Sequence, residues 1–304
     1  MRFVIRRLLS MIPTLWAIMT ITFFIMRLAP GGPFLSEREM PAEARAALNA
    51  QYGLDQPLIV QYGRYMFNVV RFDFGPSYKF PSRSVREIVL SALPVSLELG
   101  MYAMLLALVV GIPIGAVAAL RQNTAWDYGP MSLAMLGVSI PNFVLGPLLI
   151  FVFALTLRWL PPALWGPPQN KILPAITLGA IYVAYIARLT RGGMLEVTRA
   201  DFIRTAHAKG LPESLIVRRH ALRGGLLPVV SFLGPAIARA VTGSIVVEKI
   251  FAVPGVGQYF VNGAFNRDYT LVMGVVIFYA GLLILFNLVV DVMYAFLDPR
   301  VKLE

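Results

Sequence analysis

Covalent chemistry finds almost no foothold in this chain. It contains no cysteine and only two histidines, His207 and His220. Thiol nucleophiles, disulfides and thiolate metal sites are therefore excluded, and no histidine-built metal centre is expected. Both histidines fall in one interior segment, residues 191–228, so no buried serine–histidine pair is available for an intramembrane protease. The phosphate cradle G-x-x-x-x-G-K-[ST] is also absent, so energy must come from a partner or from an ion gradient.

What the segment does offer is docking chemistry. Arg191, Arg199, Arg204, Lys209, Arg218, Arg219 and Arg223 face only Glu196, Asp201 and Glu213 within it. From Ala200 to Lys209 no helix breaker intervenes, and Phe202, Ile203 and Ala206 read as one apolar face, with Arg204, Thr205 and Lys209 on the others. Gly210 stops that helix, and Pro212 opens a second one that Gly224 and Gly225 close. A solvated loop would explain the charge but not the apolar residues or the paired stops. An amphipathic helix must bury its apolar face, so a protein partner is expected there.

The surrounding elements are those of a membrane protein. The chain is 58% hydrophobic and 14% charged over 304 residues, whereas soluble domains run at about 45–50% and about 25%. Its net charge of +11 lies between apolar spans rather than on a soluble face, which argues against nucleic-acid binding. After a basic front, 19 uncharged residues run from Leu8 to Met26, longer than a signal-peptide core of about 7–15 and so read as a retained first transmembrane helix. Further runs, Leu99–Leu120, Tyr128–Leu157, Ile172–Thr190, Leu226–Val247 and Tyr269–Val290, bring the expected count to six spans.

Orientation follows from the short loops. With the N-terminus inside, Arg2, Arg6, Arg7, Arg121, the seven basic residues above, Arg300 and Lys302 are cytoplasmic, thirteen in all. The short outside loops hold four, Arg158, Lys171, Lys249 and Arg267, so both termini and residues 191–228 are expected in the cytoplasm. The long loop 30–92 is expected to form a small external cap of two short helices without strands, "AEARAALNAQY" and "PLIVQYGRYMFNVVRF". Pro94, Gly111, Pro113, Gly115, Pro141, Gly146, Pro147 and Pro235 interrupt the spans, either as kinks of a moving bundle or as packing notches.

Three ionisable residues lie in or beside spans. Arg239 and Glu98 are candidates for lining a translocation path, because a charge at membrane depth is costly and usually faces a cavity or a partner. Structural ion pairs are the alternative for both, and for Asp291 near the end of the last span. A gradient-driven transporter or channel would use Glu98 or Asp291 as a carrier, yet neither an internal repeat nor a midplane carboxylate is evident.

Particular motifs carry a family resemblance. "FIRTAHAKGLPESLIVRRHALRGGLLPVV" resembles the cytoplasmic coupling loop, or EAA loop, of the inner-membrane permease subunits of ATP-binding-cassette importers. "RLAPGGPF", "YGLDQPLIVQYGRY", "DFGPS", "SIPNF", "VPGVGQ", "NRDY" and "NLVVDVMYAFLDPR" follow in the order seen in the B-type permeases of oligopeptide and dipeptide importers, oligopeptide most of all. The chain departs from the general motif with Arg204-Thr205-Ala206 for Glu-Ala-Ala and Leu222-Arg223 for Leu-Pro, so no salt bridge from the missing glutamate carries over.

The resemblance implies an all-α, polytopic type I importer permease. Residues 1–29 would be the N-terminal transmembrane helix, 30–92 a periplasmic loop with short helices, and 93–304 a five-helix core including the coupling loop 191–228. It implies that Asp201, Phe202, Ile203, Arg204, Thr205, Ala206, His207, Lys209, Gly210 and Leu211 dock an ATPase subunit. The segment Glu248–Asp268 would form the outer mouth, with Gln258 and Asn262 touching a binding protein. Implied partners are a homologous permease in a heterodimer, two ATP-binding-cassette ATPases, a periplasmic or lipid-anchored solute-binding protein and membrane lipid. ATP and Mg would be used by the ATPases, with no cofactor in this chain.

Overall fold

A computed structural model describes residues 2–28, 32–34, 41–80, 82–241 and 245–297. The first helix, α1 (Arg2–Leu28), is followed by two short helices, α2 (Ala42–Gln51) and α3 (Leu58–Val70). A 36-residue helix, α4 (Val85–Leu120), then runs the length of the molecule. Next come α5 (Ala125–Ser139), α6 (Asn142–Leu149) with a π-helical continuation Ile150–Thr156, and α7 (Pro168–Thr198). The loop region holds α8 (Asp201–Ala208), α9 (Glu213–Ile216), a π-helical stretch Val217–Ala221 and α10 (Leu222–Gly225). The chain closes with α11 (Leu227–Val241), α12 (Ile245–Ile250), α13 (Val256–Phe265) and α14 (Tyr269–Leu297). Among the described residues the one extended pairing is an isolated bridge between Pro76 and Ser84.

Five helices are long and apolar enough to cross a membrane, and the pair α5 and α6, bent by 112°, makes a sixth if counted as one span. That third span is thus broken rather than continuous. Ile140 is extended because Pro141 follows it, and Pro141 then caps the N-terminus of α6. The other proline-bearing spans stay helical, with Pro94 and Pro113 both inside unbroken α4.

α4 and α7 form the spine, packing through Leu99, Ala103, Met104 and Ala107 against Leu178, Tyr182 and Ile186. Lipid gives no hydrophobic drive to helix pairing, so close backbone approach must supply it. A Cβ on Gly115 would fall 2.3 Å from the Ala187 carbonyl, and one on Gly111 would fall 2.9 Å from that of Val183. These two glycines are packing notches.

One end of the bundle carries α2 and α3 and is here the capped end; the other carries α8–α10 and is the basic end. At the capped end Ser84 and Glu87 form a reciprocal capping box that starts α4 at Val85, so the expected boundary at residue 92 lies inside a helix. Phe23 of α1 stacks on Tyr65 of α3, and Phe34, Tyr52 and Tyr78 meet beside them. Burial pushes the Tyr65 and Tyr78 phenols above their usual range, which keeps both neutral. Asp268 fastens this cap to the bundle. Its fully buried carboxylate accepts from the Ser77 hydroxyl, from the Tyr78 and Lys79 amides at 3.1 and 3.3 Å, and from the Leu271 amide at 3.2 Å at the start of α14. The "DFGPS" and "NRDY" motifs are therefore two sides of one joint.

Candidate functional site

The basic end is built around a short helix with two different sides. α8 follows α7 after a two-residue turn, and its Ile203 and Ala206 are buried against Met194, Ala119, Ile216 and Ala221 of its own chain. Contrary to the single apolar face expected from the sequence, Phe202 does not lie with Ile203 and Ala206. One residue step turns an α-helix by about 100°, which leaves the Phe202 ring 52% exposed while Ile203 is 3% exposed. Asp201, Arg204, Thr205, His207 and Lys209 are exposed as well, and Leu211 is half-buried. The apolar face is thus consumed internally, and the surface left for a partner is one aromatic ring set among polar and charged groups.

The helix ends where the sequence said it should. Gly210 has φ +75°, its amide donates to the His207 carbonyl at 2.9 Å, and the Leu211 amide reaches back to that of Ala206 at 3.3 Å. That is the Schellman pair of bonds, with Leu211 and Ala206 in the same apolar cluster. Gly224 and Gly225 act otherwise than expected. They do not close the second helix into a loop, since Leu226 alone separates α10 from α11. They permit contact with α7, where a Cβ on Gly224 would fall 3.0 Å from Val197 Cγ2 and one on Gly225 3.0 Å from the Met194 nitrogen.

A buried ion pair holds α7 above this hairpin. Arg191 donates through Nε and Nη2 to the two oxygens of Asp127, both at 2.7 Å, and the Asn123 amide adds a third bond at 3.0 Å. Asp127 lies in the first turn of α5, so the loop-bearing helix is tied to the start of the broken span. Arg191 counts in the sequence as one more cytoplasmic charge, and nothing there pairs it with Asp127.

The other predicted residues are separate. Glu98 pairs with Lys171 at 2.5 Å, and the ammonium also lies 5.2 Å from the Trp165 ring. Arg239 is exposed in the last turn of α11. Side chains beyond Val289, that of Asp291 among them, lie outside the described set, as do those of Arg2, Arg6 and Arg7, and residues Arg300 and Lys302. At the capped end Lys249 donates to Asn262 Oδ1 at 3.0 Å, and the Gln258 amide donates to Glu248 at 3.2 Å. Glu248 was expected in the outer loop. It instead lies in α12, at the end of the fifth span Leu227–Ile250, with no exposed surface.

A bundle of apolar helices with a broken span and a two-sided helix at one end defines a multi-pass membrane protein. Comparison with known families narrows this: residues 111–303 match the binding-protein-dependent transport system inner membrane component, and residues 1–99 match its N-terminal companion. The chain belongs to that family, whose members are permease subunits of ATP-binding-cassette importers, integral to the inner membrane, with the ATPase in partner subunits. It is 50% identical to the oligopeptide transport system permease protein OppB of Haemophilus influenzae, over 99% of both chains. It is 51% identical to that of Escherichia coli K12, again over 99% of both. The dipeptide permease DppB of Bacillus subtilis is 48% identical over 100% of this chain and 98% of its own.

Proposed function

We infer that this chain forms, with a second homologous permease, the membrane path of an importer for oligopeptides. Two relatives named for oligopeptide transport, at 50 and 51% identity over nearly the whole chain, support that substrate class. The observation that carries the mechanism is α8, anchored inward by Ile203 and Ala206 and presenting Phe202 outward. In this reading two ATP-binding-cassette subunits bind at the basic end, which faces the cytoplasm together with both termini. Phe202 is inserted into the ATPase, and the exposed Asp201, Arg204, Thr205, His207 and Lys209 around it complete the contact. A solute-binding protein, periplasmic or lipid-anchored, meets the capped end near Gln258 and Asn262. Arg239 lines the path, and Glu98 borders it. ATP and Mg belong to the ATPases, whose closure shifts α8 and, through α7 and the Asp127–Arg191 pair, the broken span.

Truncating a central aromatic anchor at an interface costs about 2 kcal/mol or more. Phe202→Ala should therefore cut ATPase co-purification strongly while leaving the membrane yield of the permease unchanged. Retention of the ATPases at the normal ratio would rule out this contact. Uptake that persists in vesicles without ATP and collapses with the proton gradient would instead favour a gradient-driven transporter.

A further inference from the structure

Glu248 is the residue that the transport reading leaves without a task. A carboxylate buried at the end of a membrane span is expensive unless donors surround it, and here they do. Ser96 Oγ on α4 donates to Oε1 at 2.8 Å, the Gln258 amide donates to Oε2 at 3.2 Å, and the Gly257 amide also bonds the carboxylate. Ser96 Oγ in turn accepts the Val256 amide at 3.0 Å. The segment "VPGVGQ" therefore wraps a side chain, Ser96 and Glu248 taking the free amides of the first turn of α13. The wrap leaves no room for side chains on the glycines. A Cβ on Gly255 would fall 2.4 Å from the Glu248 Cδ, and one on Gly257 would fall 2.9 Å from Oε2.

Three elements thus meet at one carboxylate: α12 that bears it, α4 through Ser96, and the first turn of α13 through its amides. α13 carries Gln258 and Asn262 on the segment read as the outer mouth. We propose that Glu248 is a positioning residue for that mouth, a clasp locking α13 to the end of the fifth span so that movement of the span is transmitted to α13. Without the carboxylate, α13 would lose its register on α12 and α4, and the mouth would no longer follow the ATPase cycle. The inference rests on the proposed contact of the solute-binding protein with the capped end near Gln258 and Asn262, which makes this segment the outer mouth.

The test uses the assembled importer with its ATPases in proteoliposomes. Because the chain lacks cysteine, Ala264→Cys on the exposed side of α13 gives one reporter in this subunit for a membrane-impermeant maleimide. In the parent protein, labelling rates should differ between the nucleotide-free and ATP-trapped states. Glu248→Gln puts an amide NH2 against donors that need an acceptor, and the loss of charge-assisted bonds should shrink that difference about tenfold, with a similar fall in solute taken up per ATP. Ser96→Ala keeps the carboxylate and its amide donors but cuts the link to α4, so it should move both readouts the same way by less. If both variants keep the parent's rate difference and its uptake per assembled complex, the clasp is refuted, even where yield falls. If the parent shows no dependence on nucleotide state, the mouth reading fails and the clasp with it.

Discussion

Asp127 and Arg191 show how a single pair can carry both stability and transmission. Asp127 is almost wholly buried and Arg191 partly so, with side-chain exposures of 2% and 28%, so the pair sits between the cheap surface class and the costly interior one. Asp127→Asn leaves Arg191 with a neutral partner and should destabilise the purified complex by about 2 kcal/mol, read as a lower midpoint in a detergent thermal scan. Arg191→Lys keeps the charge but loses the two-pronged geometry, so it should fall between the parent and Asp127→Asn. Equal midpoints for all three would remove the pair from the account. Gly210 is a second residue whose role is conformational. A side chain there meets no neighbour, yet φ +75° costs a non-glycine residue about 1–2 kcal/mol. Gly210→Ala should therefore loosen the end of α8 and weaken ATPase co-purification less than Phe202→Ala does.

Among the elements, α8 separates what sequence discloses from what it withholds. Its start and its stop at Gly210 are written in local residue types, because caps and breakers act within one turn. Which of its apolar residues faces out is not local: Phe202 and Ile203 are adjacent, and the partners that claim Ile203 come from α4, α7 and α9. The same limit hid the role of Gly224 and Gly225, whose need for small side chains arises from α7, and the three buried acids Asp127, Glu248 and Asp268, whose donors lie up to 191 residues away. The spans themselves were legible because twenty apolar residues need no partner to be recognised, and the break at Ile140–Pro141 followed a proline already visible. A pair of neighbouring glycines on α7 tests the packing argument. Gly193→Val would drive a side chain into the Gly225 carbonyl, and such overpacking costs about 1–3 kcal/mol. Gly192→Val meets nothing within 4 Å and serves as the control. Assembled complex should fall for the first and hold for the second.

At the scale of the whole molecule, the two ends differ in what fixes them. The capped end is tied by two buried acids, Asp268 to the cap and Glu248 to α13, while the basic end combines apolar packing with the Asp127–Arg191 pair beneath an exposed charged surface. The charge rule for insertion leads to the expectation that the basic end is inside, with thirteen Lys and Arg on that side against four in the short outer loops. The absence of cysteine again makes the orientation measurable. Ser214→Cys and Ala264→Cys place single exposed thiols at the basic and capped ends. In intact spheroplasts an impermeant maleimide should label Ala264→Cys and spare Ser214→Cys until the membrane is opened. The reverse pattern would put α8 on the side where no ATP is available, and the docking role of Phe202 would fall with it.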